Sequence, residues 1–336
     1  MDNVDIPAFF SALRTHMVDG RAESRLERLS VSELSAGEVL VRTNFAGVNY
    51  KDCLSLHGQA KIIASFPRIA GIELVGEVVR SESPDFAMGA MVLVHGFQTG
   101  IAFDGGFSEY VRVPATHVHS LPHGLTPHEA AVIGVPGFTA AMALEHFETL
   151  GLTPGSGPVA MSGAGGAVGL AGIAILSRAG YQVSAITRRM EQSESLRAIG
   201  ATDVVNAEAL SQAQRPLEKP RFAAAIDNVG GPMLSWLLRA MNDGGVVASV
   251  GNAGGNTYEG SVLPFIMRRV QLFGVVANAP WAQRKRLWAR LATDWKPDFA
   301  KVLPHVQHIR AHELMDHARR QLDGITSGRT LVVFGN

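Results

Sequence analysis

The rhythm of apolar and polar positions changes near residue 125. Before it, short Val-rich runs alternate in part and are punctuated by Gly and Pro: "EVLVRTNFAGVN" (38–49), "IAGIELVGEVVRS" (69–81), "GAMVLVHGF" (89–97) and "GGFSEYVRVPATHVHSLP" (105–122). A period near two with such punctuation predicts the strands of a small barrel or sandwich. After it, "LTPHEAAVIGVPGFTAAMALEHF" (125–147) opens as a helix should, with Thr126 as N-cap, Pro127 at N1 and Glu129 at N3. Apolar strand candidates follow at 158–163, 182–187, 203–206, 223–230, 245–252 and 270–278, with helical stretches such as 190–200 and 232–241 between them. Buried strands separated by helices predict a parallel sheet covered on both faces. A basic helix, "PWAQRKRLWARLATDW" (280–295), carries a face expected to be solvated. The chain then ends in a helix, a Gly-rich turn and a strand that can return to the first domain. The pattern predicts an α/β protein with a β-barrel-type domain of residues 1–125 and 297–336 and a doubly wound domain of 126–296.

Composition removes several alternatives. Of 336 residues, 46% are hydrophobic and 18% charged, so large cores are expected and disorder is not. Thirty basic residues balance thirty acidic ones, which argues against a nucleic-acid partner held through its phosphates. Cys53 is the sole cysteine, so there is no internal disulfide and no zinc site built on several thiolates; it reads as a small buried hydrophobe. The N-terminal stretch has early acids and no long apolar core, so it does not read as a signal peptide. No run of about 18 apolar residues suggests a membrane span, and a soluble cytoplasmic protein is expected. The twelve histidines are scattered; the densest group, "HVHSLPHG" (117–124), reads as an exposed strand end, not as a metal site.

The segment "VAMSGAGGAVGLAGIAILSRAG" (159–180) carries the most chemistry. A strand runs into Gly163, Gly165 and Gly166, and a helix of small residues opens at Ala167 and Val168. Gly163, Gly166 and Gly169 stand three apart, a variant of the G-x-G-x-x-G fingerprint. Such glycines permit a tight turn, let backbone N–H groups approach a pyrophosphate, and let the helix sit close to its sheet. The next strand ends in Thr187, Arg188 and Arg189, where an NAD-binding turn normally places Asp or Glu for the ribose 2′-hydroxyl. Guanidinium groups there pair with a 2′-phosphate, which predicts NADPH as cofactor. Glu191, slightly further on, is the residue that speaks against it.

The chain resembles the medium-chain dehydrogenase/reductases: a GroES-like domain, an inserted Rossmann domain and a C-terminal return. The likeness covers essentially the whole length. The stretches "GVNYKD", "QAKIIASFPRIAGIELVG", "IGVPGFTAAMAL", "SGAGGAVG", "RPLEK", "AIDNVGG", "LPFIMRR" and "GRTLV" are similar to the acrylyl-CoA reductase, or quinone-oxidoreductase-like, subgroup. Many relatives bind catalytic zinc through a Cys and a His at positions that look like Asn49 and Ile72 here, so a zinc alcohol dehydrogenase is not expected.

The resemblance implies hydride transfer from NADPH to the β-carbon of a short enoyl-CoA, acryloyl-CoA first of all, without a metal. It places "NYKD" beside the nicotinamide in the cleft between domains. Tyr50 is the leading candidate for contacting cofactor and substrate, Asn49 for donating to the developing oxyanion, and Asp52 with Lys51 for a pair that shapes the site or relays a proton. Asp52 and Asn49 could equally cap the following helix. By family position Asn228, Asn252, Ile266, Ala277 and Asn278 are expected along the cofactor. Arg268, Arg269, Arg284 and Lys285 are possible partners for CoA phosphates. The apolar edge strand "VQLFGVV" implies a homodimer. An NADPH:quinone reductase and a non-catalytic NADPH-binding protein remain the alternatives.

Overall fold

The computed structural model describes residues 6–210 and 215–335. The first five residues of the N-terminal stretch lie outside the described residues. The chain divides into two units, Met1–Val135 with His305–Asn336, and Pro136–Pro304.

Unit 1 begins with a hairpin that the sequence reading did not resolve, β1 (Phe10–Val18) and β2 (Arg21–Leu29), paired in register from Phe10↔Leu29 to Val18↔Arg21. The two-residue Asp19–Gly20 loop that closes it is a strong short-range hairpin signal. β3 (Val39–Val48) is followed at once by the short helix α1 (Tyr50–Leu56). Then come β4 (Arg68–Ile69), β5 (Glu73–Ser81), β6 (Met91–His95), β7 (Tyr110–Val113) and β8 (Val118–Ser120). Their inward faces form two apolar clusters, one around Phe10, Leu13, Leu56 and Phe107, the other around Val39, Val41, Val78 and Val111.

Helix α2 (Pro127–Thr149) starts as expected: Thr126 N donates to Glu129 Oε2 (2.8 Å) and Glu129 N donates to Thr126 Oγ1 (3.2 Å). It is broken at Gly134, whose φ of 45° and ψ of −155° no helix contains. The units therefore divide at 135/136 and not at the expected 125/126, because Ala131 O and Val135 N bond to side chains of unit 1. Among the described helices α2 has the length and apolar character of a membrane span, but 78% of its apolar window is buried inside the protein, as in a core helix.

Unit 2 alternates β9 (Val159–Ser162), α3 (Ala167–Arg178), β10 (Val183–Thr187), α4 (Ser193–Ile199), β11 (Asp203–Asn206), β12 (Phe222–Asp227), α5 (Gly231–Ala240), β13 (Met241–Ser249), α6 (Leu263–Arg268), β14 (Gln271–Gly274), α7 (Trp281–Leu291) and α8 (Phe299–Val302). Its sheet runs β11-β10-β9-β12-β13-β14, and every pairing is parallel. Numbered within the unit this is 3-2-1-4-5-6, the doubly wound order with its switch point between β9 and β12. Phe299 and Val302 of α8 are buried against α3 and α4, which carries this unit to residue 304 where 296 was expected. The basic helix is not solvated all round. Arg286 and Gln283 bond Glu145, Arg290 bonds Glu148, and Arg284 is buried over the rings of Phe138 and Trp281.

The chain returns to unit 1 with β15 (Val306–Ile309), α9 (Leu314–Leu322) and β16 (Arg329–Val333). β16 pairs antiparallel with β3, in register Thr330↔Val48, completing a seven-stranded sheet.

Candidate active and cofactor sites

At the end of β3 the residues of "NYKD" separate by helical geometry. Asn49 caps α1, and Asp52 turns back beneath it. Asp52 Oδ2 accepts from Asn49 N (3.0 Å) and Asn49 Nδ2 (3.2 Å), and Oδ1 accepts from Ile72 N (3.0 Å). Asp52 is 1% exposed, and burial pushes its carboxyl up to about 7, against the opposing pull of the Asn49 hydrogen bonds and with a small further push from Glu73. Consecutive helix positions do not face each other, so Lys51 points out to solvent. Among the described residues no ion pair joins it to Asp52, and the expected pair is not formed. Asn49 is also committed: its amide N–H groups donate to Glu73 Oε1 (2.7 Å) as well as to Asp52, which corrects its reading as an oxyanion donor. Tyr50, like Lys51, has its side chain exposed and unconsumed by this network; it is 36% exposed at the first turn of α1.

Two charged residues that the sequence reading passed over organise this corner. Glu73 and Arg329 are 5% and 3% exposed. Glu73 Oε1 accepts from Arg329 Nη2 (2.8 Å) as well as from Asn49, and Oε2 accepts from Val135 N (2.7 Å). Arg329 Nη2 also donates to Ala131 O (2.9 Å). A Cβ at Gly47 or Gly134 would overlap this pair, so both glycines make room for it. The available signal was a single acid in one apolar strand run, "GIELVG", and a single base in another, "GRTLVV". A buried charge needs a partner of the opposite sign.

In unit 2 the predicted cofactor residues other than Ile266 lie at or just beyond the carboxyl ends of the parallel strands. β9 leads into the turn Gly163–Gly166. Gly163 has φ +59°, and a Cβ at Gly169 would come within 2.5 Å of Gly163 O and 2.6 Å of Ala164 O, so the helix can approach the turn only without a side chain there. Ala167 and Val168 form the first turn of α3, whose leading N–H groups have no intrahelical acceptor. Thr187 ends β10, one residue beyond Ile186, which pairs with Ser162, and its Oγ1 accepts from Arg189 N (3.0 Å); Arg188 is exposed and Arg189 half-buried. Glu191 is exposed on the following turn.

Across the switch point, Ser162 Oγ donates to Asp227 Oδ1 (2.5 Å) and accepts from Asn228 N (2.9 Å), while Asn228 Nδ2 donates to Ser162 O (2.7 Å). Asp227 also accepts from Val229 N and Gly230 N, and burial raises its carboxyl above the usual range. These bonds fix the Asn228 backbone and its amide nitrogen. Asn228 Oδ1 is left buried with no hydrogen-bond partner, and so is Gln192 Oε1, whose amide covers Gly165. Buried polar atoms are rarely left orphaned without a functional reason. Two such acceptors flanking a glycine turn suit a polar ligand bound there, and the residues present therefore fit a dinucleotide.

The other expectations divide. Asn252 follows β13, is exposed, and donates from Nδ2 to Asn256 Oδ1 (2.5 Å). Ala277 and Asn278 follow β14, three strands from β9, and Ile266 is 68% exposed on α6. Arg268 is consumed by the carbonyls of Glu218, Arg239 and Met241, and Arg269 pairs with Asp243; neither stands ready for a CoA phosphate. Lys285 is exposed. In the histidine group, His117 is packed between Phe97 (ring centroids 4.8 Å) and Phe103 (4.9 Å), so it is not simply an exposed strand end.

Residues 35–123 match the alcohol dehydrogenase GroES-like domain, and residues 167–293 match the zinc-binding dehydrogenase domain. The acrylyl-CoA reductase AcuI of Ruegeria pomeroyi is 36% identical over 315 residues, covering 93% of this chain and 95% of that protein. The yhdH oxidoreductase from Salmonella enterica, solved in complex with NADP, is 37% identical with a TM-score of 0.91, covering 97% of this chain and 100% of that one. The Bacillus subtilis protein yhfP, solved with NAD bound, is 34% identical with a TM-score of 0.91, covering 98% of this chain and 100% of that one. A GroES-like unit joined to a 3-2-1-4-5-6 Rossmann unit defines a medium-chain dehydrogenase/reductase. Within that class the chain belongs to the acrylyl-CoA reductase family of quinone-oxidoreductase-like enzymes.

The name of the second domain raises the question of zinc, and the donor set does not fit it. The corresponding positions hold an amide already donating to two carboxylates, Asn49, and an isoleucine, Ile72. The thiol of Cys53 is buried and pushed up by that burial, so it is no thiolate ligand. Among the described residues no group of three or more His, Cys, Asp and Glu stands together to hold a metal ion.

Proposed function

We propose that this protein is an NADPH-dependent reductase of the α,β double bond of short enoyl-CoA thioesters, with acryloyl-CoA as first candidate. The observation that carries the cofactor is the glycine turn at the switch point, flanked by two buried amide oxygens without partners and by Arg188 and Arg189 at the end of β10. When bound, NADPH supplies a hydride for the β-carbon of the thioester. The chain holds it through backbone N–H groups of Ala167 and Val168 toward the pyrophosphate and the arginines toward the 2′-phosphate. Asn228 presents its free Oδ1 as a hydrogen-bond acceptor, and Asn252 is a further contact along the nicotinamide half.

Tyr50 is the residue proposed to meet substrate, through its hydroxyl or its ring. Asn49, Asp52, Glu73 and Arg329 serve it indirectly by locking the end of β3 and the start of α1. The enoyl-CoA class rests on the family, whose Ruegeria member is named an acrylyl-CoA reductase. We also infer a cytoplasmic homodimer. β14 is a sheet edge, and Val262, Phe265, Ile266, Met267 and Val276 on and around it are exposed apolar side chains. The deciding experiment follows NADPH oxidation with acryloyl-CoA, crotonyl-CoA and a quinone in parallel. Turnover of the quinone alone would make this a quinone reductase, and turnover of none would make it a binding protein.

A further inference from the structure

The amide of Gln192 is a polar group from outside the predicted set that reaches the glycine turn, at Gly165. It sits on the 3-10 turn Met190–Gln192, and its backbone N donates to Arg189 O (3.0 Å). From there the side chain crosses to the turn after β9. A Cβ placed on Gly165 would overlap Gln192 Oε1 and would lie 3.2 Å from Cδ and 3.5 Å from Nε2. The amide thus sits over Gly165 with Oε1 foremost, in space that the side chain of any other residue at 165 would take. Oε1 is buried there with no hydrogen-bond partner. Packing does not explain this, because an apolar side chain of the same length would fill the space without burying an orphaned acceptor. The placement is specific: one end of the residue is tied to the loop that carries Arg188 and Arg189, the other covers the turn where α3 begins.

Resting on the NADPH reading above, we propose that Gln192 is a specificity-determining cofactor residue, its amide hydrogen-bonding the 2′-phosphate of the adenosine ribose together with Arg188 and Arg189. Rotation of the amide about its last bond exchanges O and N, so that Nε2 stands where the unpartnered Oε1 lies and donates to phosphate. A phosphate bound between the arginines and Gly165 gains a neutral donor on the side where the arginines do not stand. A ribose carrying only a 2′-hydroxyl lacks the phosphate oxygens that this donor serves.

The test is a titration of the intact protein with NADPH and with NADH, read by nucleotide fluorescence or calorimetry. Gln192→Ala is expected to raise the Kd for NADPH about tenfold, the scale of one hydrogen bond to a charged group, and to change that for NADH less than about twofold. Gln192→Glu, of nearly the same shape, is expected to weaken NADPH further, because it sets a carboxylate against phosphate. Far-UV circular dichroism and the melting temperature check that each variant is folded. Equal NADPH affinity in wild type and Gln192→Ala overturns the proposal while leaving NADPH binding intact, and equal weakening of both nucleotides overturns it by reducing Gln192 to a support of the turn. A wild-type protein that binds no NADPH removes the cofactor assignment itself.

Discussion

The end of β3 and the ends of β9, β10 and β12 handle polar groups in opposite ways. In the first, Asn49, Asp52, Glu73 and Arg329 are buried or half-buried and spend most of their hydrogen-bonding capacity on one another and on nearby backbone. In the second, Asn228 and Gln192 keep amide oxygens buried and unspent beside a turn stripped of side chains. A cluster of chemically capable residues is therefore not the mark of the reactive corner here. The first corner spends its side chains on one another, with Arg329 Nη1 the one atom of these four side chains left buried and unpartnered, and is architecture; the second keeps open acceptors beside a turn stripped of side chains, which suits a ligand.

The strongest way to break that contrast is to remove Arg329. Arg329→Met leaves the Glu73 carboxylate buried without its cation, and a loss of about 3–5 kcal/mol in unfolding free energy is expected by urea denaturation. A loss under about 1 kcal/mol would show that the pair is dispensable and the corner not structural. Asp52 gives the next effect. Its carboxyl is raised from an ordinary value near 3.8 to about 7 in the folded protein, so between those values the folded state binds more protons than the unfolded. Its contribution therefore favours folding at the acid end and is lost as pH rises through about 7. Comparing Asp52→Asn with wild type across that window isolates it. The wild type should lose up to about 1.4 kcal/mol per pH unit relative to the variant. Parallel curves would remove the buried carboxyl from the account.

On the ligand side the expected effects are smaller and fall on binding. Arg188→Ala with Arg189→Ala should raise the KM for NADPH about tenfold and leave that for NADH nearly unchanged, since a 2′-hydroxyl makes no use of a guanidinium. An unaltered preference would remove the phosphate pairing. Tyr50→Phe should lower kcat about fivefold while changing stability by less than about 0.5 kcal/mol, because the hydroxyl lies outside the buried network. Unchanged turnover would reduce Tyr50 to a packing role.

Local rules made most of the framework legible. Apolar periodicity separated a β-rich unit from an α/β unit, and Thr126, Pro127 and Glu129 announced the start of α2. The spacing of Gly163, Gly166 and Gly169 marked the phosphate-type turn, all within a few residues of one another. The Asp19–Gly20 loop was legible too and was passed over. The break at Gly134 was not, since an isolated glycine in a helical run is usually tolerated; it follows from Glu73 and Arg329, which reach Val135 N and Ala131 O from strands far away in the chain.

The order of elements, the glycine turn and the basic end of β10 follow from the residues alone, because each depends on neighbours along the chain. Which polar side chains neutralise each other and which stay open does not. Glu73 meets Arg329 across 256 positions and Ser162 meets Asp227 across 65, and such pairings exist only once the strands that carry them lie side by side. That is why "NYKD" looked like catalytic machinery in one dimension, while folding turned all of it except Tyr50 and the solvent-facing Lys51 into scaffold.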